Sequence, residues 1–274
     1  MTASDLPEEA GDQHDVGLRY TVDSGVATIL LDRPARKNAF TLELIDAWVD
    51  RLQLAARSDD VRVVVVTGAG DSFCSGIDLS VLQKVERTPL AQKRMLTDRI
   101  HKVALALDDI GKPVIAAMRG AAVGAGLDMA LLCDMRIAGE SVMLSEGYIK
   151  VGLVPGDGGA WLLPRIVGSA KAMELLMTGD FVDAKEALRL GMVNRVVPDA
   201  DVLAVTYDLA RTIAAAPPVQ ISMIRRLVRQ SERIDLRTHY DLVSSHFGLV
   251  VSLDDYAEAA DAFRERRTGR YQGR

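Results

Sequence analysis

Two short stretches place glycine where a strand should end and a helix begin. "FCSGIDLS" (residues 73–80) follows the apolar run "VRVVVVTG", and "AAVGAGLD" (121–128) follows "VIAAMRG". Small residues let the backbone, rather than side chains, approach a bound group. Gly76, Gly124 and Gly126 also permit backbone angles closed to other residues. The start of a helix leaves N–H groups without intrahelical partners. Two such turns facing each other would form an oxyanion hole, with fixed donors around a carbonyl oxygen that gains charge during reaction. Either turn alone has an alternative purpose, close packing of helix on sheet; the pair favours the ligand-facing reading.

The elements that must hold these turns follow from periodicity. "LRYTVDSGVATILLDRP" reads as a hairpin about Ser24-Gly25, stopped by Pro34. Apolar residues recur at helical spacing from Leu42 to Leu54, with Thr41 as N-cap. "VRVVVVTG" predicts a buried strand, and residues 88 to 109 a second amphipathic helix ending near Gly111. "KPVIAAMRG", "DMRIAG" and "VMLSE" read as strands, and "GAWLLPRIVG" as a helix after the "VPGDGG" turn. Strand, strand, helix repeats along the chain, unlike the alternation of a doubly wound sheet. From "VTYDLARTIAAAPP" onward a helical pattern continues to the end, with Pro217-Pro218 between two helices. The expected division is a lead-in at 1–17, an α/β core at 18–200 and a helical region at 201–274.

Composition narrows the classes of function. The chain has 274 residues, 49% hydrophobic and 26% charged, enough to bury a substantial core. A net charge of −5 argues against a general binder of nucleic acid or anionic membrane. Cys74 and Cys133 cannot build a disulfide framework, which points to a reducing cytoplasm. The acidic start "MTASDLPEEAGDQHDVG" has no apolar stretch and reads as a disordered lead-in rather than a secretory signal. No apolar run reaches the roughly 18 residues needed to span a bilayer. "GDSFCSG" lacks the G-x-S-x-G elbow, because Cys74 stands two after Ser72. "TGAGDSF" has Phe73 where a dinucleotide fingerprint needs its third glycine. His14, His101, His239 and His246 have no metal-ligand spacing, so no metal is implied.

Taken in order, "DRPARKNAF", "VRVVVVTGAGDSFCSGIDLS", "AMRGAAVGAGLDMALLCDMRIA", "VGLVPGDGGAWLLPRIVG", "ALRLGMVNRVVP" and "AFRERRTGRYQG" resemble the crotonase, or enoyl-CoA hydratase/isomerase, superfamily. The resemblance covers about Leu18 to Gly273. It implies a crotonase-like spiral of ββα units with a C-terminal helical trimerisation region, assembled as a homotrimer or hexamer. It also implies an acyl-CoA thioester as substrate, with coenzyme A part of that substrate and no separate cofactor. The oxyanion donors it implies are the backbone N–H groups of Ile77 and Ala125.

Hydratases of this family carry two glutamates that hold one water. At those positions this chain has Asp128, a methylene shorter, and Tyr148, whose ordinary pKa near 10 makes a poor base. Asp128 resembles the aspartate of dienoyl-CoA isomerases at that place. Glu146 lies two residues before Tyr148, and in an extended segment both would face one side. Asp157 lies in the "PGDGG" turn, next to where isomerases of the family carry a working aspartate. Simple structural roles compete: Asp157 as cap of the following helix, Glu146 as a solvated loop acid, Tyr148 as packing for an acyl chain. The resemblance places contacts to coenzyme A at Arg33, Arg36 and Lys37, at the turn glycines Gly76 and Gly124, and at Phe263 and Arg266 near the C-terminus. Double-bond isomerisation is expected over simple hydration. The alternatives are a hydratase proper and a non-catalytic acyl-CoA-binding scaffold.

Overall fold

The computed structural model describes residues 16–274. The expected lead-in lies outside the described residues except for Val16 and Gly17, and the Gly17 carbonyl already accepts the Asp32 N–H at 2.8 Å. Strands β1 (Leu18–Asp23) and β2 (Val26–Leu31) form the expected antiparallel hairpin. Ser24 and Gly25 at its tip both have positive φ, 50° and 81°, as a tight two-residue turn requires. Parallel to β2 run β3 (Val63–Gly68), β4 (Val114–Met118), β6 (Met135–Gly139) and β9 (Arg195–Val197), in the order β1-β2-β3-β4-β6-β9. A smaller sheet joins β5 (Ala121–Val123), β7 (Met143–Ser145) and β8 (Val182–Asp183).

Strands buried on both faces explain the unbroken apolar runs. One set of alternating residues, including Ile29, Leu31, Val64, Val66, Val114 and Ala116, packs against helix α1 (Leu42–Arg57) in the main core. Thr41 caps α1, its hydroxyl accepting the Leu44 N–H. The other set, including Leu30, Val65, Ile115 and Ile137, is covered by Val202, Leu203 and Ala210 of α9 (Val202–Ala214). The helical region expected from residue 201 therefore begins with a helix that belongs to the core. Each fully buried Val or Leu there contributes about 1.5–3 kcal/mol, which is why α9 is held to the sheet.

Between β3 and β4 the helix expected over 88–109 is present, its helical residues running unbroken from Pro89 to Asp109, with a separate short helix before it. The structure has α2 (Leu79–Lys84), α3 (Pro89–Met95), a π-helical turn at 96–100 and α4 (His101–Asp109). The inserted residue of the π turn shifts the helix face without ending the helix. After β5 comes α5 (Ala125–Leu132), whose residues 125–131 are all buried. A helix apolar on every side belongs in a core, which makes Asp128 its one exception. After β7 a 3₁₀ turn at Gly147–Val151 replaces the expected extended segment, followed by α6 (Gly159–Val167), α7 (Ser169–Thr178) and α8 (Ala184–Arg189).

Helices α10 (Pro218–Ser231), α11 (Leu236–Val251) and α12 (Asp254–Glu265) complete the chain. Arg225 and Arg229 bind Asp134 at 2.8 and 2.9 Å, and Arg229 and Arg233 bind Asp108, fastening α10 to the core. The helix does not run to the end of the chain. Arg266 takes positive φ, and the tail folds back so that the N–H groups of Gln272 and Gly273 donate to the buried Asp255 carboxylate.

Candidate active site

The two glycine turns lie against each other. Cys74 bridges Ala122 of β5, and the Val123 N–H donates to the Cys74 carbonyl at 3.0 Å. A side chain on Gly126 would land on the Cys74 carbonyl, and one on Gly76 would lie 2.9 Å from the Val123 carbonyl and 3.4 Å from the Ala125 nitrogen. Glycine is therefore required for the approach itself. On the far side the turn pairs with residues 37–40: Phe40 N–H donates to Gly76 O, and Asp78 N–H to Phe40 O, both at 2.9 Å. In that parallel pattern the intervening Ile77 turns its own N–H away from Phe40. Ala125 is the first residue of α5, where N–H groups lack helical partners. The hydrogen bonds around the two turns use Asp78, Val123, Gly124 and Asp128 N–H groups, and neither Ile77 nor Ala125 donates in them.

Asn38 holds this arrangement together. It is fully buried in a left-handed conformation, φ 56°. Its side-chain amide donates to Ala69 O at 2.8 Å and Ser72 O at 2.7 Å, and its Oδ1 accepts the Arg33 N–H. The loop carrying "DRPARKNAF" is thus latched to the loop leading into the first turn. Arg33 is engaged too: its guanidinium donates to the Ala39 carbonyl and to the Asp78 carboxylate. Arg36 and Lys37 are exposed, with Lys37 Nζ 3.7 Å from Asp71. An open hollow of roughly 560 Å³ beside them is lined by Arg33, Pro34, Arg36 and Thr41. Phe263 is 86% exposed on α12, and Arg266 ends that helix, both remote in sequence from the turns.

The four candidate proton-handling residues converge, although they come from three separate elements. Tyr148 Oη lies 2.6 Å from Asp128 Oδ2 and 3.0 Å from Asp157 Oδ2. Its ring covers Gly124, so the phenol stands beside the start of α5. Gly159, the first residue of α6, has Asp128 Oδ1 and both Glu146 oxygens crowded over its Cα, where even a methyl group would collide. A helix N-terminus carries partial positive charge and favours anionic neighbours, so α6 aims its favourable end at the acids. Exposure falls in the order Tyr148 8%, Asp157 5%, Glu146 2%, Asp128 0%. Two simpler roles are thereby corrected. Glu146 is not a solvated loop acid, and Asp157 does not cap α6, whose N-cap is Gly158 with no side-chain bond.

Burial dominates the electrostatics. Asp128 is pushed up to about 6, by burial first and also by the Asp157 charge, while the Tyr148 hydrogen bond pulls it down. Glu146 is pushed up to about 10, by burial and then by the charge of Asp128. Asp157 is raised by burial, against a lowering by the Tyr148 hydrogen bond and by His101. The phenol of Tyr148 is raised by burial and by the surrounding carboxylates, so it holds its proton. Carboxyls this close disfavour one another's ionisation, so burial and mutual repulsion both push the cluster toward holding protons.

His101 was set aside in the sequence because it fits no metal pattern. Here its Nε2 lies 2.7 Å from the Gly156 carbonyl, which can only accept, so Nε2 carries the hydrogen. This bond ties α4 to the turn that carries Asp157. Asn38 stood inside a quoted motif but was not singled out. No local signal marks either residue, because each acts on a loop more than 30 residues away.

A mixed sheet with two paired glycine turns beside a buried acid cluster is the arrangement the sequence resemblance leads one to expect. The family model for enoyl-CoA hydratase/isomerase matches residues 21–274. The chain is 34% identical over 254 residues to the 1,2-epoxyphenylacetyl-CoA isomerase of Escherichia coli, covering 92% of this chain and 97% of that one. It is 39% identical over 222 residues to a probable enoyl-CoA hydratase of Mycobacterium tuberculosis, covering 80% and 85%. The crystal structure of an enoyl-CoA hydratase from Bacillus anthracis superposes with a TM-score of 0.90 at 30% identity, over 94% of this chain and 100% of that one. The chain belongs to the enoyl-CoA hydratase/isomerase family of the crotonase superfamily, and it is an enzyme of that type.

Proposed function

We propose that this enzyme shifts a double bond in an enoyl-CoA thioester, with Asp157 as the single group that takes and returns the proton. The carrying observation is the setting of Tyr148. Where a hydratase of the family would offer a second glutamate to hold water, this chain has a phenol already bridging Asp128 and Asp157. Asp157 is the least buried of the three acids, so it is the carboxyl that reaches substrate. Its carboxylate removes a proton from the carbon next to the thioester. The C–H electron pair moves into the conjugated system, and negative charge collects on the thioester oxygen. The Ile77 and Ala125 N–H groups receive that charge; loss of one such donor costs about 3–4 kcal/mol elsewhere. Protonated Asp157 then returns its proton at the γ carbon, and the double bond has moved.

Coenzyme A is held as part of the substrate. Arg36 and Lys37 provide exposed cationic side chains for its nucleotide end, with Gly76 and Gly124 shaping the thioester slot. Phe263 and Arg266 complete the site from a neighbouring protomer, which makes the working form a homotrimer or hexamer. Two free, buried cysteines suit a cytoplasmic enzyme, and among the described residues no helix is long and apolar enough to cross a membrane. The hydratase reading draws support from the names of several relatives, among them the 2,3-dehydroadipyl-CoA hydratase of Escherichia coli, 31% identical.

The test is a thioester panel of 2-enoyl-CoA and 3-enoyl-CoA substrates with wild type and Asp157→Asn. Isomerisation should exceed hydration of crotonyl-CoA in the wild type. The variant should lose about 10²–10⁴-fold in kcat, the usual worth of a general acid–base group. Full isomerase activity in Asp157→Asn, or rapid hydration by the wild type, refutes the assignment. Binding of thioesters without turnover of any would point to a scaffold.

A further inference from the structure

Glu146 has no role in the proton transfer just described, yet it is buried against the site. Neither of its oxygens meets a protein N–H or hydroxyl donor. Its charged neighbours are carboxylates only, Asp128 and Asp157. Its oxygens and Asp128 Oδ1 gather over the same backbone atom, Gly159 Cα. Two ionised carboxyls crowded over one backbone atom would repel, which favours one of them carrying a proton directed at the other. The second oxygen of Asp128 decides which. It accepts the Tyr148 hydroxyl at 2.6 Å, a short bond of the kind that favours negative charge on the acceptor. Glu146 has no such donor.

We propose that Glu146 is a neutral carboxylic acid donating its proton to Asp128, and that the Tyr148 hydroxyl transmits the state of this pair to Asp157. The three act as positioning residues for the proton-transfer group, an inference that rests on the reading of Asp157 above.

The proton count gives the device its logic. A phenol has one hydrogen, and Tyr148 faces two carboxyls. With that hydrogen on Asp128, Asp157 faces the phenol lone pair at 3.0 Å and is at home only when protonated, donating to Tyr148. When Asp157 is ionised and ready to take a proton, the Tyr148 hydrogen swings to it. Asp128 then keeps the Glu146 proton as its donor. In each half of the cycle both aspartates have a partner, and the proton lost by carbon is the one returned to carbon. Glu146 gives up nothing. The groups facing Asp157 are Tyr148 on the 3₁₀ turn, Asp128 from α5 behind it, and His101 from α4, which lowers its proton affinity. Burial and the Asp128 charge, which push Glu146 upward, agree with the geometry.

Infrared spectroscopy of the whole protein in heavy water at neutral pH tests the first half. The wild type should show a protonated-carboxyl carbonyl stretch that is missing from Glu146→Gln, whose amide keeps a donor toward Asp128. Absence of the band in wild type, or its persistence in the variant, overturns the proposal. Should the variant not fold, carbon-13 spectra of glutamate-labelled wild type serve instead: one glutamate carboxyl should fail to ionise by neutral pH, and ionisation of all of them overturns it. The second half is read from Tyr148→Phe. Its acidic limb in kcat should move to higher pH with KM little changed, because the Asp157 carboxylate loses a donor; an unmoved limb refutes the link. These results are separable from those for Asp157 itself. Full activity of Asp157→Asn would leave the infrared band in place, and a missing band would leave Asp157→Asn inactive.

Discussion

Replacing Glu146 by glutamine should change how stability depends on pH, in a direction fixed by linkage. The folded state holds the Glu146 proton up to about 10, whereas an unfolded glutamate releases it near its ordinary 4.5. Between those values the folded chain binds one proton more than the unfolded chain, so stability falls as pH rises. The contribution is fully present below the unfolded value and is lost on the way up to the folded one. One bound proton corresponds to about 1.4 kcal/mol per pH unit. From about pH 6 to about pH 8 the upper limit is near 3 kcal/mol, and sharing of the proton with Asp128 reduces it to about 1–3 kcal/mol. Glutamine cannot ionise, so Glu146→Gln should gain on the wild type by that amount over the interval. At roughly 2–3 °C per kcal/mol for a chain of this size, the difference in Tm should widen by roughly 2–9 °C. Thermal melts of both proteins across that range, at fixed protein concentration, provide the measurement. Parallel melting curves would mean that Glu146 is already ionised in the fold, and would refute a protonated Glu146.

Asn38→Gly keeps the positive φ but removes two amide donations to buried carbonyls. At about 1–3 kcal/mol for each acceptor left unsatisfied, the loss should be roughly 2–6 kcal/mol in denaturant melts, and a loss near zero would refute the latch. Gly126→Ala would drive a methyl group onto the Cys74 carbonyl, so the turns should separate and kcat for thioesters should fall more than the melting temperature does. Turnover equal to wild type would show that the spacing of the turns is not needed. Helix α11 exposes Tyr240, Phe247 and Leu249 and buries none of its residues within the chain. Exposed apolar surface of that kind marks an interface, and light scattering should report a trimer or hexamer at micromolar concentration rather than a monomer.

Some features are settled over a few residues, and these were legible in the sequence. The hairpin turn at Ser24-Gly25, the Thr41 cap and the apolar strands follow from turn geometry, a single hydrogen bond and burial on both faces. The glycine turns were legible for the same reason, since glycine is demanded wherever two backbones touch. Where local geometry departs from one regular period, the pattern gave the element but missed the detail. The π turn at 96–100 and the 3₁₀ turn at Gly147–Val151 break a single period, and α9 proved to be a core layer only because a sheet face awaited it.

The acids show the boundary most clearly. Asp128, Glu146, Tyr148 and Asp157 were recognisable one at a time as side chains able to move protons. What the amino-acid order could not state was that one phenol lies between two aspartates, or that Glu146 is buried rather than solvated. Those facts depend on α5, the 3₁₀ turn and the start of α6 meeting at Gly159. A carboxyl's charge is set by the water and the charges around it, and that surrounding exists only after the chain has folded.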